Sequence, residues 1–120
     1  MKFNSVVIRT KEMEKSITFY EKILGFKFIS MMSAAPGKQI AFLTDTESNT
    51  NLEIIYNENA PNLAETKMSL TIQVDQIGET ETFLRAHKVP IRSVPRTVKD
   101  GKKILTAVDP NGVELDFIEF

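Results

Sequence analysis

Apolar residues change their spacing in a fixed order along this chain. Residues 3–10 alternate as a strand, and Met13, Ile17, Tyr20, Ile23 and Leu24 then recur at helical spacing, with Gly25 where a left-handed helix cap falls. Three strand-like runs follow, at about 26–32, 39–44 and 51–57. The order then begins again. Leu70, Ile72 and Val74 alternate, Ile77 and Leu84 take up helical spacing behind Asp75 as a candidate N-cap, and strand-like runs return at 90–95, 102–108 and 113–120. The pattern predicts strand, helix, strand, strand, strand, twice over.

The halves are related by a weak repeat. An offset of 64 residues sets Ser5 on Ser69, Val6 on Leu70, Ile8 on Ile72, Met13 on Ile77, Thr18 on Thr82 and Phe19 on Phe83. Farther on, loop lengths change the offset, and Leu52-Glu53-Ile54 is matched to Val113-Glu114-Leu115. Between the halves, residues 57–66 are polar and broken by Pro61, which reads as a linker. The expected organisation is a single domain over 1–120, with module one at about 1–57 and module two at about 67–120.

Period-two alternation assigns faces. Val6, Ile8, Leu52, Ile54, Tyr56, Leu70, Ile72, Val74, Val113, Leu115 and Phe117 form one almost wholly apolar layer, suited to lie under the helices. The opposite face carries Ser5, Val7, Arg9, Glu53, Ile55, Asn57, Ser69, Thr71, Gln73, Glu114, Asp116 and Ile118, too polar a set for a dry core. Such a face is either solvated or curled around a ligand. The recurrence of a serine and a glutamate in each half favours the ligand.

Composition narrows the classes. With 120 residues the chain makes one compact unit burying somewhat under about 70% of its unfolded surface. Fifteen Lys and Arg against 16 Asp and Glu leave neither a basic stripe nor a basic run, so no nucleic acid partner is expected. The chain has no Cys, which removes disulfides, thiolate zinc sites and cysteine nucleophiles together. Its first residues show no signal pattern, and no apolar run approaches the ~18 residues of a membrane span. The expectation is a soluble, cytoplasmic protein with no membrane partner.

Two segments carry a resemblance. Ser16-Ile17-Thr18-Phe19-Tyr20-Glu21-Lys22-Ile23-Leu24-Gly25-Phe26 and Asp109-Pro110-Asn111-Gly112-Val113-Glu114-Leu115, set in paired strand–helix–three-strand modules, resemble the vicinal oxygen chelate superfamily. That group holds glyoxalase I, bleomycin-resistance proteins, fosfomycin-resistance enzymes and extradiol dioxygenases. The resemblance covers essentially the whole chain and implies an α+β fold: two βαβββ modules forming a curled mixed sheet or half-barrels with helices on the outer face. It also implies a homodimer. In metal-dependent members the first strand of each module supplies a histidine and the last a glutamate or another ligand. Carried across, Glu53 and Glu114 fall on the carboxylate positions, whereas Ser5 and Ser69 fall on the histidine positions. Serine hydroxyls are poor ligands for zinc, nickel or ferrous iron. The sole histidine, His87, sits near the predicted end of the second helix and cannot replace two ligands on other strands. Lys88 stands where the family often has a helix-ending glycine.

Glu53 and Glu114 are therefore the candidate catalytic residues, with Ser5, Arg9, Ser69 and Asp116 as candidate ligand-binding residues, no metal site and no cofactor. If the two glutamates face one cavity, both cannot ionise cheaply, leaving a proton acceptor or a proton-sharing pair. Alternatively Ser5 and Ser69 donate hydrogen bonds to them and hold both as acceptors. Magnesium held by two glutamates and waters is a weaker option, since nothing supplies the remaining ligands. A serine nucleophile lacks a base. The plain reading of a strand glutamate, or of Arg9 and Asp116, is a solvated surface residue. Asp109-Pro110-Asn111-Gly112 reads as a tight turn aiming Glu114. The expected function is metal-independent binding of a small organic ligand, in the manner of bleomycin-resistance proteins. The rival is a lyase or isomerase using Glu53 or Glu114 as general base, with or without a weakly held divalent metal. A third reading makes the polar face a subunit contact.

Overall fold

The computed structural model describes residues 2–59, 68–98 and 100–120. The chain divides into two compact units, Met1–Leu63 and Ala64–Phe120. Most of the expected linker, residues 60–66, lies outside the described residues. The part within them ends β4 at Asn57, whose side-chain oxygen accepts from the Asn59 amide at 3.0 Å.

Module one runs β1 (Val6–Thr10), α1 (Met13–Lys22), β2 (Lys27–Ala35), β3 (Lys38–Asp45) and β4 (Thr50–Asn57). Its four strands form one sheet in the order β1-β4-β3-β2. β1 runs parallel to β4, while the other neighbours are antiparallel. The first strand is shorter than the alternation suggested: pairing with β4 begins at Val6, and Phe3 is 77% exposed.

Alternation assigned the layer beneath α1 well. Ile8, Leu52 and Ile54 are buried, joined from β3 by Ala41 and Leu43 and from the helix by Met13 and Tyr20. Each such large apolar side chain contributes about 1.5–3 kcal/mol by leaving water. The Tyr20 ring meets Phe19 and Phe26 edge-on, at centroid distances of 5.3 and 6.0 Å. Gly25 takes φ +75°, the left-handed conformation expected at the helix exit.

Module two repeats the plan with β5 (Ser69–Val74), α2 (Ile77–Ala86), β6 (Ile91–Thr97), β7 (Lys103–Val108) and β8 (Glu114–Glu119), in the order β5-β8-β7-β6. Ile77, Leu84, Val89, Leu105, Ala107, Val113, Leu115 and Phe117 are buried. Pro95, which has no N–H to give, is tolerated because β6 is an edge strand whose pairing slips between Ser93 and Arg96.

Both ends of α2 depart from the sequence expectation. Asp75 does not cap it; Gln76 is the N-cap residue and makes no side-chain cap bond, while the Ile77 amide donates to Glu119 Oε2 of β8 at 2.8 Å. A cap supplied from 42 residues away leaves no local signature. At the other end Lys88 adopts φ +58°, with Val89 N–H donating to Leu84 O and Lys88 N–H to Arg85 O. These two bonds are the Schellman pattern, so the helix keeps its glycine-type exit without the glycine. Among the described residues, no helix is long and apolar enough to cross a membrane.

Candidate functional site

The face of each sheet away from its helix holds the predicted site residues. On module one, Glu53 lies across from Val7 on β1 and Phe42 on β3. Ser5, just before β1, donates its hydroxyl hydrogen to Glu53 Oε2. Both residues are half-buried. Val7, Phe42 and, one pair farther along, Ile40 and Ile55 surround this polar pair with half-buried apolar side chains. Arg9 sits across from Ile55 on the same face, exposed, and in no ion pair among the described residues. A carboxylate with a single hydroxyl donor and apolar neighbours retains acceptor capacity for a ligand hydrogen or a proton.

On module two the strand register corrects the sequence matching. Val7, the partner of Glu53, corresponds under the 64-residue offset to Thr71, and Thr71 pairs with Asp116. Across the other edge, Glu53 faces Phe42 and Asp116 faces Thr106. The residue equivalent to Glu53 is thus Asp116, and Glu114, two residues earlier, matches Asn51. Glu114 pairs with Ser69 and Val108 instead.

The carboxylates of module two have different company. Glu114 forms an ion pair with Arg92 at 2.5 Å, both side chains being 40% exposed or more. Pairs so exposed add little to stability. Ser69 is exposed. The Thr106 hydroxyl donates to Asp116 Oδ1 at 2.6 Å and accepts from Arg96 Nη2 at 3.2 Å. Thr106 is buried, so its hydroxyl holds the half-buried Asp116 carboxylate in place.

Thr106 and Arg96 are the residues sequence reasoning passed over. Thr106 offered a signal: it is the one polar position in Ile104-Leu105-Thr106-Ala107-Val108. Arg96 offered none, because the irregular pairing of β6 breaks the alternation that would have placed it. The turn before β8 is built as expected. Buried Asp109 accepts from the amides of Asn111 and Val113, each at 2.7 Å, and Gly112 takes φ +84°.

A transition metal finds few suitable donors on these faces. The groups beside Glu53 and Asp116 are serine and threonine hydroxyls, and no group of three or more His, Cys, Asp or Glu that could hold a metal ion occurs among the described residues. His87 stays at the exit of α2, its ring 4.3 Å from that of Phe83 and its Nδ1 2.9 Å from Phe83 O.

Known proteins agree with this architecture. The chain is 28% identical, over 99% of its length and 93% of the relative's, to a lactoylglutathione lyase from Haemophilus influenzae. Among solved structures it is similar to a member of the glyoxalase/bleomycin resistance protein/dioxygenase superfamily from Sphaerobacter thermophilus, with a TM-score of 0.80 and 18% identity over 100% of this chain and 98% of that one. A glyoxalase I mutant from Zea mays gives a TM-score of 0.79 and 23% identity, covering 95% of this chain and 43% of that one. A family model described as Glyoxalase/Bleomycin resistance protein/Dioxygenase superfamily matches residues 2–117, and the chain belongs to that superfamily.

Proposed function

We propose that this protein binds a small organic molecule without a metal, on the sheet faces that carry Glu53 and Asp116. The observation that carries the reading is the hydrogen bond from Ser5 to Glu53. Where metal-dependent relatives are expected to present an imidazole beside a carboxylate, this chain presents a hydroxyl already engaged with that carboxylate. Hydroxyls bind soft and borderline metals poorly. What remains is an acceptor set among Val7, Phe42 and Ile55, suited to a ligand with an apolar body and a hydrogen-bond donor. We also propose a cytoplasmic homodimer; the exposed Ile29, Met31 and Met32 on edge strand β2 support an assembly that covers them. Light scattering on the eluting protein checks the dimer, and a monomer mass refutes it.

A thermal-shift screen with S-lactoylglutathione and bleomycin, run with and without EDTA, tests the binding reading. Stabilisation that EDTA leaves unchanged supports it. Stabilisation that EDTA abolishes contradicts it.

A second reading has one observation in its favour, the 28% identity to a lactoylglutathione lyase. In it Glu53 or Glu114 acts as general base on a proton beside a carbonyl. Turnover of the methylglyoxal–glutathione hemithioacetal, lowered by roughly 100-fold or more in Glu53→Gln, supports this reading. No turnover, or turnover indifferent to the substitution, removes it.

A further inference from the structure

The two modules place different chemistry at equivalent positions. In module one, Met32 of β2 lies across from Ile40, which lies across from Ile55. In module two, Arg96 of β6 lies across from Ile104, which lies across from Ile118. A guanidinium therefore replaces a thioether on the same row of the same face. The fold does not require it, because the sister module is built without it.

Arg96 is also held without being neutralised by contact. Its Nη2 donates to Thr106 Oγ1 at 3.2 Å and its Nη1 approaches Ile104 O at 3.5 Å. The threonine hydroxyl passes its own hydrogen to Asp116, so the chain runs Arg96 to Thr106 to Asp116 in one donor direction. Such chains strengthen each member. The other arginines of module two are engaged directly: Arg85 with Glu81 at 2.9 Å and Arg92 with Glu114 at 2.5 Å. Arg96 makes no ion pair among the described residues. A guanidinium has five N–H donors, and these two contacts leave three for a planar oxyanion. Half-buried Ile104 and Ile118 on the same row offer an apolar surface beside it.

We propose that Arg96 is a specificity-determining residue of the module-two face, and that the ligand presents a carboxylate to it with an apolar or aromatic group packed on Ile104 and Ile118. The inference rests on the ligand-binding reading above and adds the chemical class of the ligand. Asp116 stands one hydroxyl away and offsets part of the positive field, so recognition comes from the fork of donors more than from net charge.

The test is a calorimetric titration of the whole chain with phenylacetate and with its neutral isostere phenylacetamide. The parent protein is expected to bind the acid about 10-fold more tightly than the amide, the size of one charge-assisted hydrogen-bonded contact. Arg96→Gln should erase that preference by weakening the acid more than the amide, and Arg96→Lys, which keeps the charge without the fork, should restore only part of it. Equal affinity for acid and amide in the parent overturns the proposal and leaves the ligand-binding reading standing. A preference that survives in Arg96→Gln overturns it as well. Failure of phenylacetate to bind overturns it too, and joined to failure of the EDTA-controlled screen it removes the reading beneath.

Discussion

Replacing Asp109 by alanine should cost the protein about 2–4 kcal/mol of stability, through two hydrogen bonds to a charged acceptor. Asp109 is 4% exposed, and its Oδ1 accepts from the amides of Asn111 and Val113 at 2.7 Å each. A hydrogen bond to a charged group contributes about 1.5–3 kcal/mol, so two give an upper value near 6. Two effects reduce that. The substitution relieves the desolvation of the carboxylate, and half-buried Asn111 can turn its freed amide to water. Val113 has no such outlet at 3% exposure, so its N–H is left unsatisfied. Asp109→Asn keeps one carbonyl oxygen as acceptor and should lose only about half as much. Urea denaturation of the three proteins, with a common m-value, measures both differences. A stability for Asp109→Ala within about 0.5 kcal/mol of the parent would show that the carboxylate does not hold the turn, because surface-like changes fall in that range.

Two further predictions concern helix α2. Lys88→Gly should raise stability by about 1 kcal/mol, since φ +58° strains any residue with a Cβ while the Schellman bonds need only backbone; a decrease in the thermal midpoint would show that the lysine side chain matters there. Glu119→Ala should lower stability by about 1 kcal/mol through loss of the Ile77 cap, whereas Asp75→Ala should change it little. Chemical denaturation separates the two, and the opposite ranking would return the cap to Asp75.

Alternation made the buried layer legible because a strand can hide only one of its faces. Leu52, Ile54, Leu115 and Phe117 needed no structure to be placed. The same rule hid the register. Sliding β8 by two residues keeps every side chain on its own face, so Val113-Glu114-Leu115 fits the pattern of Leu52-Glu53-Ile54 as well as Leu115-Asp116-Phe117 does. Only the pairing of Asp116 with Thr71 and Thr106 separates the two matches. Glu53 was found because it interrupts an apolar strand, and Ser5 because it recurs as Ser69 and falls on a histidine position of the family the chain resembles, whereas Arg96 lies on a strand whose irregular pairing erases the pattern. The cap from Glu119 and the exit at Lys88 escaped for another reason: the first is a long-range contact, and the second is a backbone state that lysine does not advertise.

On the proposed reading, the hydroxyls at residues 5 and 69 deprive this chain of the transition-metal site expected of its metal-dependent relatives. A calorimetric zinc titration of the metal-free parent beside the Ser5→His, Ser69→His double variant tests it most directly. The expected result is no stoichiometric binding by the parent and a new site in the variant, built on the carboxylate of Glu53 or Asp116. One tightly bound zinc per parent chain would contradict it.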